Sequence, residues 1–222
     1  MHCKNYKRLS EALYALNMLN DDSTGIFNVP IPKYNEEDEL ENLKIVLEKG
    51  YSHLEEIGLF QSGEPTEEGL KYGYILKKYQ KAKRYMTLNS FTCAVDVDKN
   101  KMFSHVLEKT GENVYTLERT DKMILLAVFY QNIKFLQQLD NKQQSEDTKI
   151  WQDYALLRLE AYYSQNEAFQ LQYFEYDKCT YSALIIDNDT EIIEYDLPRQ
   201  KVRSIAGKTL KKQFVKFMKV QV

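Results

Sequence analysis

The sequence predicts an α+β protein: two quasi-repeated units, each a helix, three antiparallel strands and a helix, around a central antiparallel sheet with flanking helices. Three observations predict it. The 222 residues are 43% hydrophobic and 13% aromatic, with 17 Tyr and 10 Phe, enough for a sizeable core. Stretches with apolar residues at helical spacing are separated by two sets of three strand-like segments. Within each set, clusters of Asp, Asn and Gly mark turns, so each set reads as a meander.

The elements follow in order. Tyr6, Leu9, Leu13 and Leu16 fall at helical spacing over residues 6–19. Residues 25–30 read as a short extended segment, kept from helix by Pro30 and Pro32. The run from Glu36 to Glu41 opens an acidic helix whose acids complement the helix dipole. Leu40, Leu43, Val46 and Leu47 supply its stripe, and Gly50 is expected to separate it from a second helical segment carrying Tyr51, Leu54, Ile57 and Leu59. Thr66 is placed as the N-cap of a helix reaching about Arg84, with Glu67 and Glu68 in its first turn and Leu70, Tyr74, Leu76 and Tyr79 as apolar positions. Strands are expected at 85–97, 101–108 and 113–118, followed by a helix from Asp121 to Leu139 bearing Ile124, Val128 and Phe135.

Residues 140–148 are polar and without period, and mark the expected boundary between an N-terminal half, 1–140, and a C-terminal half, 149–222, of one 222-residue domain. The second half repeats the layout. A helix spans 149–164 with Trp151, Ala155, Leu159 and Tyr162. Strands follow at 168–176, 180–187 and 191–197, and Pro198 closes the set. The last helix covers 205–219.

Composition and motifs exclude several classes. Eight glycines and four prolines rule out collagen-like and linker-dominated chains. Thirty basic and 33 acidic residues, net −3, argue against a globally basic nucleic-acid binder. No secretory signal is visible at the N-terminus, and the apolar stretch Met123–Tyr130 is too short to span a bilayer, which predicts a cytoplasmic chain without stable membrane insertion. Cys3, Cys93 and Cys179 fit no disulfide framework and read as reduced thiols. His2, His53 and His105 have no second His or Cys at ligand spacing, so no metal is expected. Neither a phosphate-binding glycine loop nor a nucleophile elbow is present, and no enzyme is predicted.

Charge is unevenly distributed. Residues 34–68 hold eleven acids against Lys44 and Lys49, whereas 198–222 hold eight cations and no acidic side chain. The last helix therefore sets Phe214, Phe217 and Met218 opposite lysines. It reads either as a docking helix for a partner or, more ordinarily, as a core-packed helix with a solvated face. Lys71, Lys77, Lys78, Lys81, Lys83 and Arg84 make the helix before the first strands basic, and an alternative reading is a winged-helix-like DNA-binding regulator using residues 71–84. A carboxylate-based enzyme site that leaves no motif is a third class.

The whole order resembles a known family. It comprises the N-terminal helix, the Gly25–Pro30 segment, the acidic helix ending in Ile57-Gly58-Leu59-Phe60, the Pro65-Thr66-Glu67-Glu68-Gly69 helix start, the strands about Phe91–Val97 and Asn113–Leu117, and the second helix-and-strand unit. This arrangement resembles the EspG-like chaperones of type VII secretion, and more closely their EsaE-type accessory proteins, over nearly the full chain. The resemblance implies a quasi-two-fold α+β fold and a cytoplasmic chaperone or adaptor that binds helical secreted substrates and keeps them export-competent, without chemistry or cofactor. It also implies contact through a loop between strands and through the C-terminal helix. Carried onto this chain, those are Asp98, Lys99, Asn100 and Lys101, with Phe214, Phe217 and Met218. A monomer and a homodimer are both compatible with the layout.

Overall fold

The computed structural model describes residues 8–20, 25–97, 102–141, 167–188 and 191–220. In chain order its elements are β1 (Arg8–Leu9), α1 (Ser10–Leu19), α2 (Glu39–Glu56), β2 (Phe60–Gln61), β3 (Glu64–Pro65), α3 (Glu67–Gln80), β4 (Arg84–Leu88), β5 (Phe91–Ala94), β6 (Phe103–Gly111), β7 (Val114–Asp121) and α4 (Lys122–Asn132). A 3-10 helix (Lys134–Asn141) follows, then β8 (Ala168–Glu175), β9 (Lys178–Asn188), β10 (Glu191–Asp196), β11 (Lys201–Ile205) and a last helix, α5 (Gly207–Met218). The fold is α+β with antiparallel pairing, as predicted. The helix expected over 149–164 lies outside the described residues.

The chain divides into two compact units. The division does not fall at 140–148. Unit 1 takes residues up to 82 with 90–97 and 105–119, and unit 2 takes 83–89, 98–104 and everything from 120 onward.

In unit 1, α1 is buried on all sides, from Ser10 through Asn17, rather than on one stripe. α2 buries a column at i, i+4 spacing: Asn42, Val46, Gly50 and Leu54. The helix runs straight through Gly50, where a break was expected, because the missing side chain lets α1 approach. A Cβ there would collide with the Glu11 carbonyl and lie 2.9 Å from the Ala15 Cβ. The start of α2 moves to Glu39 because Asn35 Oδ1 accepts from the Glu37 and Asp38 amides at 3.0 and 3.1 Å. Asp38 then caps the amides of Leu40 and Glu41 at 2.9 and 3.1 Å. Thr66 caps α3 as predicted, accepting from Gly69 N at 3.2 Å.

The segment 25–30 is a loop that turns at 27–28 and buries Ile26 and Val29. The Tyr14 hydroxyl donates to Val29 O at 2.7 Å, the Tyr79 hydroxyl donates to Phe27 O at 3.0 Å, and Asn28 donates to Thr92 Oγ1 at 2.6 Å. Asn28 adopts φ 62° to make this turn, a conformation Asn tolerates. In the unit's sheet β1 pairs with β7, Leu9 facing Val114, and β5 pairs with β6, Phe91 facing Glu108.

The strand expected over 85–97 is two strands, β4 and β5, because Asn89 turns the chain with φ 49°. In unit 2 the order is β4-β8-β9-β10-β11. Pro198 does not close the set. The chain turns at 197–200, with Gln200 at φ 52°, and returns as β11 against β10. One sheet face packs Ile186, Ile193, Tyr195 and Val202 together. The alternate residues carry an aromatic row under α5: Phe169 stacks on Phe135 at 5.6 Å, and Tyr173 stacks on Phe217 at 4.6 Å.

Candidate binding surface

The described residues place the predicted contacts unevenly. Asp98, Lys99, Asn100 and Lys101 lie outside them. Phe214, Phe217 and Met218 are buried in unit 2. Phe214 packs on Phe169 at 6.0 Å and Tyr130 at 6.4 Å, and Phe217 also meets Tyr181 at 5.1 Å. Of the two readings of the last helix, this is the core-packed one. Its apolar stripe is spent on its own sheet, with Lys208, Lys212 and Lys216 left outward. These three apolar side chains are thus no open docking face in this fold.

The basic helix offers fewer unengaged cations than its composition suggests. Lys71 pairs with Glu67 at 2.7 Å, and Lys78 stands 5.5 Å over the Tyr74 ring. Lys83 stands 5.6 Å over Tyr176, and Arg84 pairs with Glu175 at 2.9 Å. These contacts hold four of the six cations against the protein itself.

A different apolar surface lies around Met102 and the first turn of α4. Asp121 turns the chain out of β7 and caps α4, its carboxylate accepting from Met123 N at 2.7 Å and Ile124 N at 3.4 Å. The Lys122 amide donates to Met102 O at 2.9 Å, which fastens the start of β6 to the first turn of α4. Lys122 turns inward and is buried. Met102, Met123 and Ile124 turn outward and are 59%, 61% and 61% exposed. Three large exposed apolar side chains thus flank the backbone hydrogen bond that joins Met102 to the first turn of α4.

Sequence reasoning missed this surface because residues 123–128, Met-Ile-Leu-Leu-Ala-Val, are apolar without interruption and so carry no phase. Ile124 was expected inside, whereas Leu125, Leu126 and Phe129 are the buried positions. The usable signal was Asp121, since an N-cap fixes which residues of the first turn follow it. The same kind of shift affects Leu40, Leu70 and Tyr74, expected in apolar stripes and found exposed.

Unit 2 also contains a cavity of about 380 Å³ between β9, β10 and β11, lined by Tyr181, Glu194, Asp196, Arg199, Lys201, Val202 and Arg203. Glu194 is only 3% exposed. Its Oε1 accepts from Arg203 Nε at 2.9 Å and Nη2 at 2.7 Å, and its Oε2 accepts from Gln213 at 3.3 Å. Arg199 reaches Asp196 at 3.5 Å. The Tyr181 hydroxyl is buried and faces the Glu194 carboxylate and the Gln213 amide. Burial, reinforced by the nearby Glu194 carboxylate, pushes its pKa far above the usual phenol range, so it stays a neutral O–H. Of the two described thiols, Cys93 is buried and pushed up by desolvation, and Cys179 is exposed.

No curated protein matches this sequence. Residues 13–222 match one family over nearly the whole chain, and the protein therefore belongs to DUF5081, described as a domain of unknown function.

Proposed function

We propose that this protein is a cytoplasmic chaperone or adaptor that binds a helical substrate of type VII secretion and keeps it soluble, without chemistry of its own. The observation that carries the reading is the Met102–Met123–Ile124 surface. Exposed apolar side chains gain by leaving water, and two flexible methionines adapt to a helix face. The surface directly follows the 98–101 segment in which the family resemblance puts substrate contact. The substrate's apolar stripe would pack over Met123 and Ile124, with Met102 filling the gap beside them.

The test is a pull-down of the tagged protein from its native cytosol, with mass spectrometry of the bound fraction, comparing wild type with Met123→Asp/Ile124→Asp. Both positions are exposed, so the variant keeps its thermal midpoint. The expected result is a stoichiometric small helical protein without a cleavable signal on wild type and its loss from the variant. Equal retention by both overturns the assignment of this surface. Recovery of nucleic acid, or of nothing across a salt series, overturns the binding-protein reading.

A further inference from the structure

We propose that a second copy of this chain docks on unit 1, the start of α2 in each copy lying antiparallel against the outer face of α3 in the other. The α3 face is half apolar and half basic. Leu70, Tyr74, Lys77 and Lys81 follow one another at helical spacing and form one stripe that ends at the C-cap. Leu70 and Tyr74 are each more than half exposed, whereas the other side of the helix buries Tyr72, Ile75, Leu76 and Tyr79. The neighbouring cations are held by Glu67, Tyr74, Tyr176 and Glu175. Lys77 and Lys81 are left over, and among the described residues neither enters an ion pair.

The complement stands on the same unit. Leu40, in the first turn of α2, is also more than half exposed. Glu36, Glu37 and Glu39 precede it, all exposed, and among the described residues none of them enters an ion pair. Asp38 is occupied as the cap of α2. In an antiparallel crossing Leu40 covers Tyr74 and Leu70 of the other copy, while the acids before it reach Lys77 and Lys81. The apolar contact leaves water and the charges fix the direction of the crossing. A two-fold axis uses each surface once per copy, so the same contact forms twice. Two α3 faces do not fit each other, because their lysines would meet. A nucleic-acid backbone would engage the lysines but leave Leu70 in water. The inference concerns α2 and α3 and does not depend on the α4 surface.

The experiment is sedimentation velocity on the full chain over about 1–100 µM, the range for a contact of few side chains. A concentration-dependent dimer is expected, weakened as salt rises from about 50 to 500 mM because its charges are exposed. Lys77→Glu/Lys81→Glu and Glu36→Lys/Glu37→Lys should each weaken the dimer at least about tenfold, since like charges then meet. Mixing the two variants in equal amounts should restore it, because each reversed face then meets its complement. A misfolded variant would not be rescued in this way. Met123→Asp/Ile124→Asp should dimerise as wild type does, which separates failure here from failure of the chaperone reading. A wild-type monomer across the whole range overturns the proposal, as does a dimer that both variants leave intact or that mixing fails to restore. A monomer that binds labelled duplex DNA through Lys77 and Lys81 assigns the stripe to nucleic acid, and one that binds a labelled acidic amphipathic peptide assigns it to a foreign helix. Either result also overturns the proposal.

Discussion

The place a side chain would take at Gly50 in α2 is filled by the backbone carbonyl of Glu11 in α1. A side chain can rotate away from a clash, but a helical carbonyl is fixed by its own hydrogen bond. The closeness of α1 and α2 therefore depends on glycine at this position.

Gly50→Ala is expected to destabilise the protein although alanine is the better helix former. The propensity gain is about 1 kcal/mol, and forcing atoms into a filled contact costs about 1–3 kcal/mol. Contact with backbone puts the cost at the upper end, so urea denaturation should show a net loss of about 1–2 kcal/mol. Gly25→Ala is the control, since nothing lies within 4 Å of its Cβ position, and should change stability by less than about 0.5 kcal/mol.

Phe214→Ala tests the placement of the last helix. The ring is buried against Phe169 and Tyr130, so truncation should cost about 3–5 kcal/mol. Lys212→Ser on the outward face should be nearly neutral. If Phe214→Ala leaves the denaturation midpoint unchanged while abolishing partner capture, α5 is a docking helix after all and its burial is incorrect.

The Glu194–Arg203 pair makes an asymmetric prediction. Arg203→Leu leaves a buried carboxylate without its cation and should cost about 3 kcal/mol. Glu194→Gln should cost less, because the amide oxygen still accepts from an arginine whose side chain is half exposed. Replacing both by leucine should recover most of the loss, and a double-mutant cycle by chemical denaturation measures it.

Alkaline titration examines the contact between α1 and the 32–35 segment. The Tyr34 hydroxyl donates to the Glu11 carboxylate, and that hydrogen bond raises its pKa from the usual 10.0 to about 12. A folded-state pKa above the unfolded one means the contribution is fully present below pH 10 and lost as pH rises through 12. Wild type should lose stability faster than Tyr34→Phe between those values, and parallel curves would show that the bond contributes nothing.

The features legible in the sequence are those that short-range chemistry settles. Thr66 caps α3 because its hydroxyl lies three residues from the amide it accepts from, and Asn113 turns β6 into β7 because asparagine tolerates a positive φ. The acids at the start of α2 and the antiparallel meanders follow from the same local rules. Tertiary structure decided whether Gly50 breaks or continues a helix, since that depends on a carbonyl 39 positions away in the chain. It also decided the phase of 123–128, where six apolar residues give no contrast and packing buries Leu125 and Leu126 while Met123 and Ile124 stay exposed. β11 was invisible for a related reason. Lys-Val-Arg-Ser-Ile has little apolar pattern of its own, and much of what defines it as a strand is the buried carboxylate of Glu194 opposite Arg203. A local hydrogen bond is encoded by neighbours in sequence, whereas which face of a helix or strand meets water is set by whatever packs against it from afar.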